Sequence, residues 1–155
     1  DITVVDFAGE RLDRALRLGA TRVVPVDDGL TDVLREIVGP RGADVVIEAT
    51  GAPGQLDTCL SIIRQGGTIL GVGLPSAPQE LNVHKLVLGE VTIATTVAHV
   101  CGDDLAPSLD ILARTDLGDE LVEAVYPLDE VPAQLRRLGA GEIRGKVLFD
   151  PTRAA

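Results

Sequence analysis

Methionine and tryptophan are absent from the 155 residues, and only three aromatic residues occur, Phe7, Tyr126 and Phe149. An initiator methionine placed before aspartate normally stays in place, so a chain that opens on Asp1 without any methionine is expected to be a fragment of a longer protein. The scarcity of aromatics excludes a platform on which single-stranded nucleic acid could stack. Cysteine is nearly as scarce. Cys59 and Cys101 lie far apart with no CxxC pair and no Cys/His cluster, which fits the reduced thiols of a cytoplasmic protein better than a disulfide or zinc framework. Basic residues are few: 14 Lys and Arg face 24 Asp and Glu, for a net charge of −10, and they are dispersed along the chain. Neither a nucleic-acid backbone nor an anionic membrane surface is therefore an expected partner. No apolar run approaches the roughly 18 residues of a membrane span, and no basic-then-apolar leader opens the sequence.

What is present is a foldable balance: 45% apolar and 25% charged residues, which excludes disorder. A chain of this size hides about 68–70% of its unfolded surface, enough to form a core without metal or disulfide.

Apolar periodicity alternates between strand and helix from the first residues. Ile2-Thr3-Val4-Val5 is a strand ending at Asp6, and Leu12, Ala15 and Leu16 share a helical face that Gly19 terminates. Arg22 to Val26 resumes the strand pattern, with Pro25 favouring a sheet edge. Leu30, Val33, Leu34 and Ile37 form the next helical stripe, closed by Gly39-Pro40. Ala43 to Ile47 is a β-branched run of the kind buried on both faces of a parallel sheet. Leu56, Cys59, Leu60 and Ile63 mark a third helix, expected to stop at Gly66-Gly67 before the strand Thr68 to Gly73. This cadence predicts an α/β fold with right-handed crossovers. After an interruption at Leu74 to Pro78, a helix is expected near Val83 to Leu88 and a strand at Val91 to Val97. Further on come a helix with Leu105, Leu109 and Leu112 inward, a strand at Leu121 to Val125, a helix with Val131, Leu135 and Leu138 inward, and a strand at Lys146 to Phe149.

Asp6 carries the most functional information. In a dinucleotide-binding βαβ unit, an acidic residue about 20 positions after a glycine fingerprint accepts hydrogen bonds from the adenosine ribose and repels a 2′-phosphate. Counted back from Asp6, that fingerprint and the first strand fall before residue 1. The alternative is a turn-forming aspartate at a strand end. Loss of the central first strand would leave its two neighbours unpaired, so either the chain alone is unstable or a gap or rearranged pairing is expected between Ile2–Val5 and Ala43–Ile47.

Val4-Val5-Asp6, the helix stop Leu18-Gly19-Ala20, Asp44-Val45-Val46-Ile47-Glu48-Ala49-Thr50-Gly51, Gly66-Gly67-Thr68-Ile69-Leu70-Gly71-Val72-Gly73 and Gly145-Lys146-Val147-Leu148 together resemble the zinc-dependent medium-chain alcohol and polyol dehydrogenases. The sorbitol, butanediol and threonine dehydrogenase branch is the most similar. The resemblance runs along essentially the whole chain and covers only the C-terminal portion of such an enzyme. It implies a Rossmann-type doubly wound parallel sheet lacking its first strand, over residues 1–98, followed by the returning segment of the catalytic domain over residues 99–155.

The same resemblance implies site residues. Asp6 matches the ribose-binding acid and Arg11 the basic residue beside it, which points to NAD rather than NADP; Arg11 also reads as a solvated first-turn residue. Thr50 and Gly51 match positions along the cofactor, or else form an ordinary strand-to-helix turn. Val72, Gly73 and Leu74 match the segment meeting the nicotinamide carboxamide, and Thr96, Val97 and Ala98 the segment lining the other side of the ring; as plain sequence both are strand ends. Arg144 matches an arginine reaching the pyrophosphate. His99 falls where a substrate-pocket wall is expected, with Cys101 a weaker candidate beside it. His84 reads as a surface or interface residue, and Asp116, Asp119, Glu120 and Glu123 as a solvated face, because they lack the loop pattern of a hard-cation site.

The expected function is that of the C-terminal portion of an NAD-dependent, zinc-type dehydrogenase moving hydride between a secondary alcohol or polyol and nicotinamide, inactive as this chain alone. Zinc would be held by the parent enzyme through ligands outside this chain. The parent is expected to be a homodimer or homotetramer acting on a small molecule. Two rivals stand beside it: a zinc-free quinone or enoyl reductase of the same superfamily, against which Asp6 argues, and a non-catalytic nucleotide-binding or interaction module.

Overall fold

The structure, a computed structural model, describes residues 1–98 and 100–153. Among the described residues all strand pairs are parallel, and they form three small sheets. Two compact units result. One combines Asp1–Pro25 with the described residues of 100–155, and the other holds the described residues of 26–99.

In the first unit, β1 (Thr3–Asp6) pairs with β2 (Arg22–Pro25) across α1 (Glu10–Arg17). Glu10 and Asp13 in the first turn of α1, and Arg14 and Arg17 in the last, complement the helix dipole. Gly19 then stops the helix: at φ 101° it occupies backbone space closed to most residues, and the Ala20 N–H turns back to the Ala15 carbonyl. The same unit contains α5 (Cys101–Arg114), α6 (Leu117–Leu121), β6 (Val122–Pro127), α7 (Val131–Gly139) and β7 (Lys146–Asp150), with β6 and β7 paired. Leu12, Val24 and Ile143 are buried.

In the second unit, α2 (Leu30–Val38) leads to β3 (Ala43–Glu48), α3 (Gln55–Ile62) and β4 (Ile63–Gly71), then α4 (Val83–Leu88) and β5 (Thr92–Thr95). The sheet order is β3-β4-β5. Its core gathers Cys59, Leu60 and the fully buried Ile69, with Val46, Leu56, Ile63, Leu86 and Ile93 packed around them. Asn82 caps α4 by accepting the Lys85 N–H at 3.0 Å.

Four sequence expectations are corrected. Gly66-Gly67 is not a helix stop but an irregularity inside β4, which starts at Ile63; the register steps from Ala43↔Ile63 to Val45↔Thr68, with Gly66 at φ 65° in the left-handed region. β3 is not buried on both faces: Val45 and Ile47, which alternate onto the same face, are 58% and 61% exposed, while Val46 on the opposite face packs against the core. Leu105, Leu109 and Leu112 of α5 do not point into a core. In α7, Leu135 and Leu138 are exposed while Gln134 is buried, its amide donating to Glu130 and its carbonyl oxygen accepting from Arg137. β1 and β3 are not paired with each other and belong to different sheets. No helix among the described residues is long and apolar enough to cross a membrane.

Candidate functional site

Parallel strands deliver their carboxyl ends to one edge of a sheet, where ligands of open α/β folds bind. In the second unit that edge is formed by Glu48, Gly71 and Thr95, the last residues of β3, β4 and β5. The segments leaving it carry most of the expected site residues, and hydrogen bonds tie them together. The Val72 and Gly73 N–H groups both donate to the Glu48 carbonyl, at 2.7 and 3.0 Å, and the Thr96 N–H donates to the Gly71 carbonyl at 3.1 Å. Thr50, Gly51, Val72, Gly73 and Leu74 are thus gathered in one place, with Thr96 on the adjoining strand end.

Glycine is required here by space. A Cβ on Gly73 would lie 2.1 Å from the Gly51 nitrogen and 2.6 Å from that of Thr50. One on Gly51 would lie 2.6 Å from the Leu74 carbonyl, and Gly51 itself has φ 66°. The two loops therefore approach backbone to backbone. Val97 and Ala98 are exposed; Ala98 has φ 57°, uncommon for a residue with a side chain. His99 lies outside the described residues.

Glu48 holds this edge together and was named in the sequence only as part of a motif. Its residue is 7% exposed. The carboxylate accepts the Thr50 N–H at 2.7 Å, the Thr50 hydroxyl at 2.5 Å and the Gly51 N–H at 3.0 Å. Burial acts to raise its pKa, but the hydrogen bonds from Thr50 and Gly51 outweigh that and hold it below the ordinary value of 4.5. On α3, burial and then the Glu48 charge push the Cys59 thiol up to about 11, so Cys59 is an inert core group. The signal that could have disclosed Glu48 is a carboxylate at the end of an apolar strand, followed at once by Thr and Gly able to turn their N–H groups back to it.

In the first unit, Asp6 ends β1. Its Oδ1 accepts the Phe7 N–H at 2.7 Å and faces the Arg11 guanidinium at 3.5 Å, while Oδ2 has no partner among the described residues. Arg144 is turned to Glu10 at 3.2 Å, and its own carbonyl accepts from Arg14. The Glu123 carboxylate accepts the Arg144 and Gly145 N–H groups at 2.7 and 3.0 Å, which holds its pKa below the usual range. Glu120 forms a two-pronged pair with Arg17, so the acidic cluster is partly an ion-pair face. Asp6 and Arg11 are brought together; Arg144 sits with Glu10 instead of standing free. Cys101 is exposed. Among the described residues, no three His, Cys, Asp or Glu side chains gather closely enough to hold a metal ion.

Parallel β-α-β units with a glycine-sealed carboxyl edge define an α/β protein of Rossmann-like topology. The sequence profile of the zinc-binding dehydrogenases matches residues 1–114, and the chain belongs to that family. It is 37% identical over 151 residues to the L-threonine 3-dehydrogenase of Proteus mirabilis, covering 96% of this chain and 44% of the relative. It is 36% identical over 95 residues to the sorbitol dehydrogenase of Bacillus subtilis, covering 59% and 27%. The zinc-dependent alcohol dehydrogenase 2 of Streptococcus pneumonia, solved in its apo form, superposes with a TM-score of 0.82 at 26% identity, over 99% of this chain and 45% of that one. The chain thus spans less than half the length of these relatives.

Proposed function

We propose that the chain is the C-terminal portion of an NAD-dependent, zinc-type alcohol or polyol dehydrogenase, in which it binds and orients the dinucleotide. The observation that carries this reading is the backbone-to-backbone seal of Gly51 against Leu74 and Gly73 against Gly51 at the carboxyl ends of three parallel strands, which clears side chains from the edge a cofactor would occupy. Residues 1–98 would be the incomplete nucleotide-binding domain and 99–155 the returning segment of the catalytic domain.

Asp6 would accept the ribose hydroxyls through its free Oδ2 and disfavour a 2′-phosphate by charge, with Arg11 holding Oδ1. Thr50, Gly51, Val72, Gly73, Leu74, Thr96, Val97 and Ala98 would line the nicotinamide half. Arg144 would exchange Glu10 for the pyrophosphate. His99 would stand at the substrate wall. The cofactor would supply the hydride chemistry, and this chain would bind and orient it. A small alcohol or polyol as substrate, zinc held through ligands outside this chain, and a homodimeric or homotetrameric parent complete the proposal.

Isothermal calorimetry on the full-length protein tests it. NAD+ is expected to bind and NADP+ to bind much more weakly, and Asp6→Ser is expected to erode that preference. Equal affinity for both cofactors in the unaltered protein would contradict the role of Asp6.

A further inference from the structure

We infer that Glu48, braced by Gln79, is the positioning residue of the cofactor edge: it sets the Thr50–Gly51 turn against the Val72–Gly73 segment and so governs dinucleotide affinity without touching the dinucleotide. This rests on the nucleotide-binding reading above. Glu48 receives five donors. Its carboxylate takes the Thr50 N–H, the Thr50 hydroxyl and the Gly51 N–H, and its carbonyl takes the Val72 and Gly73 N–H groups. One residue therefore links the turn after β3 to the segment after β4.

A neutral side chain could not replace it. Both carboxylate oxygens face donors, since the Gly51 N–H also reaches Oε2 at 3.2 Å, and the Gly73 backbone presses on that oxygen so closely that a Cβ there would come within 2.7 Å. An amide at this position must turn an NH2 group toward an N–H or into Gly73. From the other side, the Gln79 amide donates to the Gly51 carbonyl at 3.0 Å. Gly51 is thus held at its N–H by Glu48 and at its C=O by Gln79, which fixes the two peptide planes flanking a glycine that, at φ 66°, is conformationally permissive. The same bonds consume the donors of residues 50, 51, 72 and 73. Those N–H groups are structural, and the edge offers a ligand mainly carbonyl oxygens.

The test uses the full-length protein, unaltered and as Glu48→Gln and Gln79→Ala, with two readouts: NAD+ affinity by calorimetry well below the melting temperature of each form, and amide hydrogen exchange at Thr50 and Gly51 without ligand. Glu48→Gln is expected to bind NAD+ about tenfold more weakly and to speed exchange at both amides; Gln79→Ala is expected to weaken binding about threefold. Unchanged affinity in a folded Glu48→Gln protein, or exchange that does not accelerate, overturns the positioning role alone. If Glu48→Gln does not fold, Gln79→Ala decides, and wild-type affinity in that variant overturns the role. Absence of NAD+ binding by the unaltered protein overturns the nucleotide reading and this inference with it.

Discussion

Each of the two units pins a glycine-bearing loop with a glutamate, and they do so in different surroundings. In the second unit Glu48 is buried at the end of β3, beside a core that includes the fully buried Ile69. In the first unit Glu123 accepts the Arg144 and Gly145 N–H groups from an exposed position on β6. The chemistry of the two clamps is alike; water is what separates them. A buried acceptor that loses its donors, or donors that lose their acceptor, bear the full desolvation penalty, whereas groups at the surface turn to solvent. The second unit is therefore expected to respond sharply to substitution at the carboxyl edge of its sheet, and the first, whose Asp6–Arg11 and Arg144–Glu10 pairs are also exposed, only mildly.

The largest effect should come from Ile69→Ala. It empties the centre of the second unit's core and is expected to cost about 2–5 kcal/mol in urea unfolding, a large part of the stability of an ordinary domain. A loss below about 1 kcal/mol would mean that this core does not hold the unit.

Gly73→Ala comes next. The added methyl must displace the Gly51 or Thr50 backbone or the Glu48 carboxylate, at an expected cost of about 1–3 kcal/mol together with weakened nucleotide binding. Gly102→Ala in the first unit is its counterpart. Gly102 sits in α5 with open space where a Cβ would go, so this change should leave stability within about 1 kcal/mol of the parent, on the stabilising side.

The two glutamates can be compared by pH. Folding holds both carboxyls below their ordinary value of 4.5, so their contribution is complete above that pH and is lost as the pH falls through the folded-state values. Urea midpoints followed from pH 7 down to pH 3 should drop less steeply in Glu48→Gln than in the parent. Glu123→Gln should change the slope less, since solvent screens that site. A larger change from Glu123 would reverse the contrast between the units.

The smallest effect is expected from Arg11→Ala. Its pair with Asp6 is largely exposed, and removing it should shift stability by less than about 1 kcal/mol. A larger loss would show that the end of β1 depends on this pair for its fold.

Local chemistry made much of this legible beforehand. Gly19 and Gly39 stop their helices as expected, with positive φ angles that glycine alone accepts cheaply. The β-α alternation was readable because each run matches one period and ends at a turn residue. What misled was neighbourhood. Val45 and Ile47 read as interior strand residues, because periodicity reports apolarity and not what packs on each face of a strand; the face they share is open to water, whereas Val46 on the other face meets the core. Gly66-Gly67 read as a helix stop, because an irregularity in a strand and a turn require the same backbone freedom. Gln134 replaced Leu135 and Leu138 as the buried residue of α7, because Glu130 and Arg137 satisfy its amide, and that depends on a fold-specific arrangement.

The sequence by itself determined where strands and helices alternate, which residue types end each strand, and the family resemblance carried by Asp6, the Glu48-Ala49-Thr50-Gly51 turn and the glycine-rich β4. These are matters of local backbone preference and order along the chain. Only the tertiary structure decided that Glu48 binds two loops into one edge, that Gly51 and Gly73 meet with no room for a side chain, and that Arg144 is held by Glu10. Those contacts join residues distant in sequence, and their strength depends on burial, which spacing along a chain does not encode.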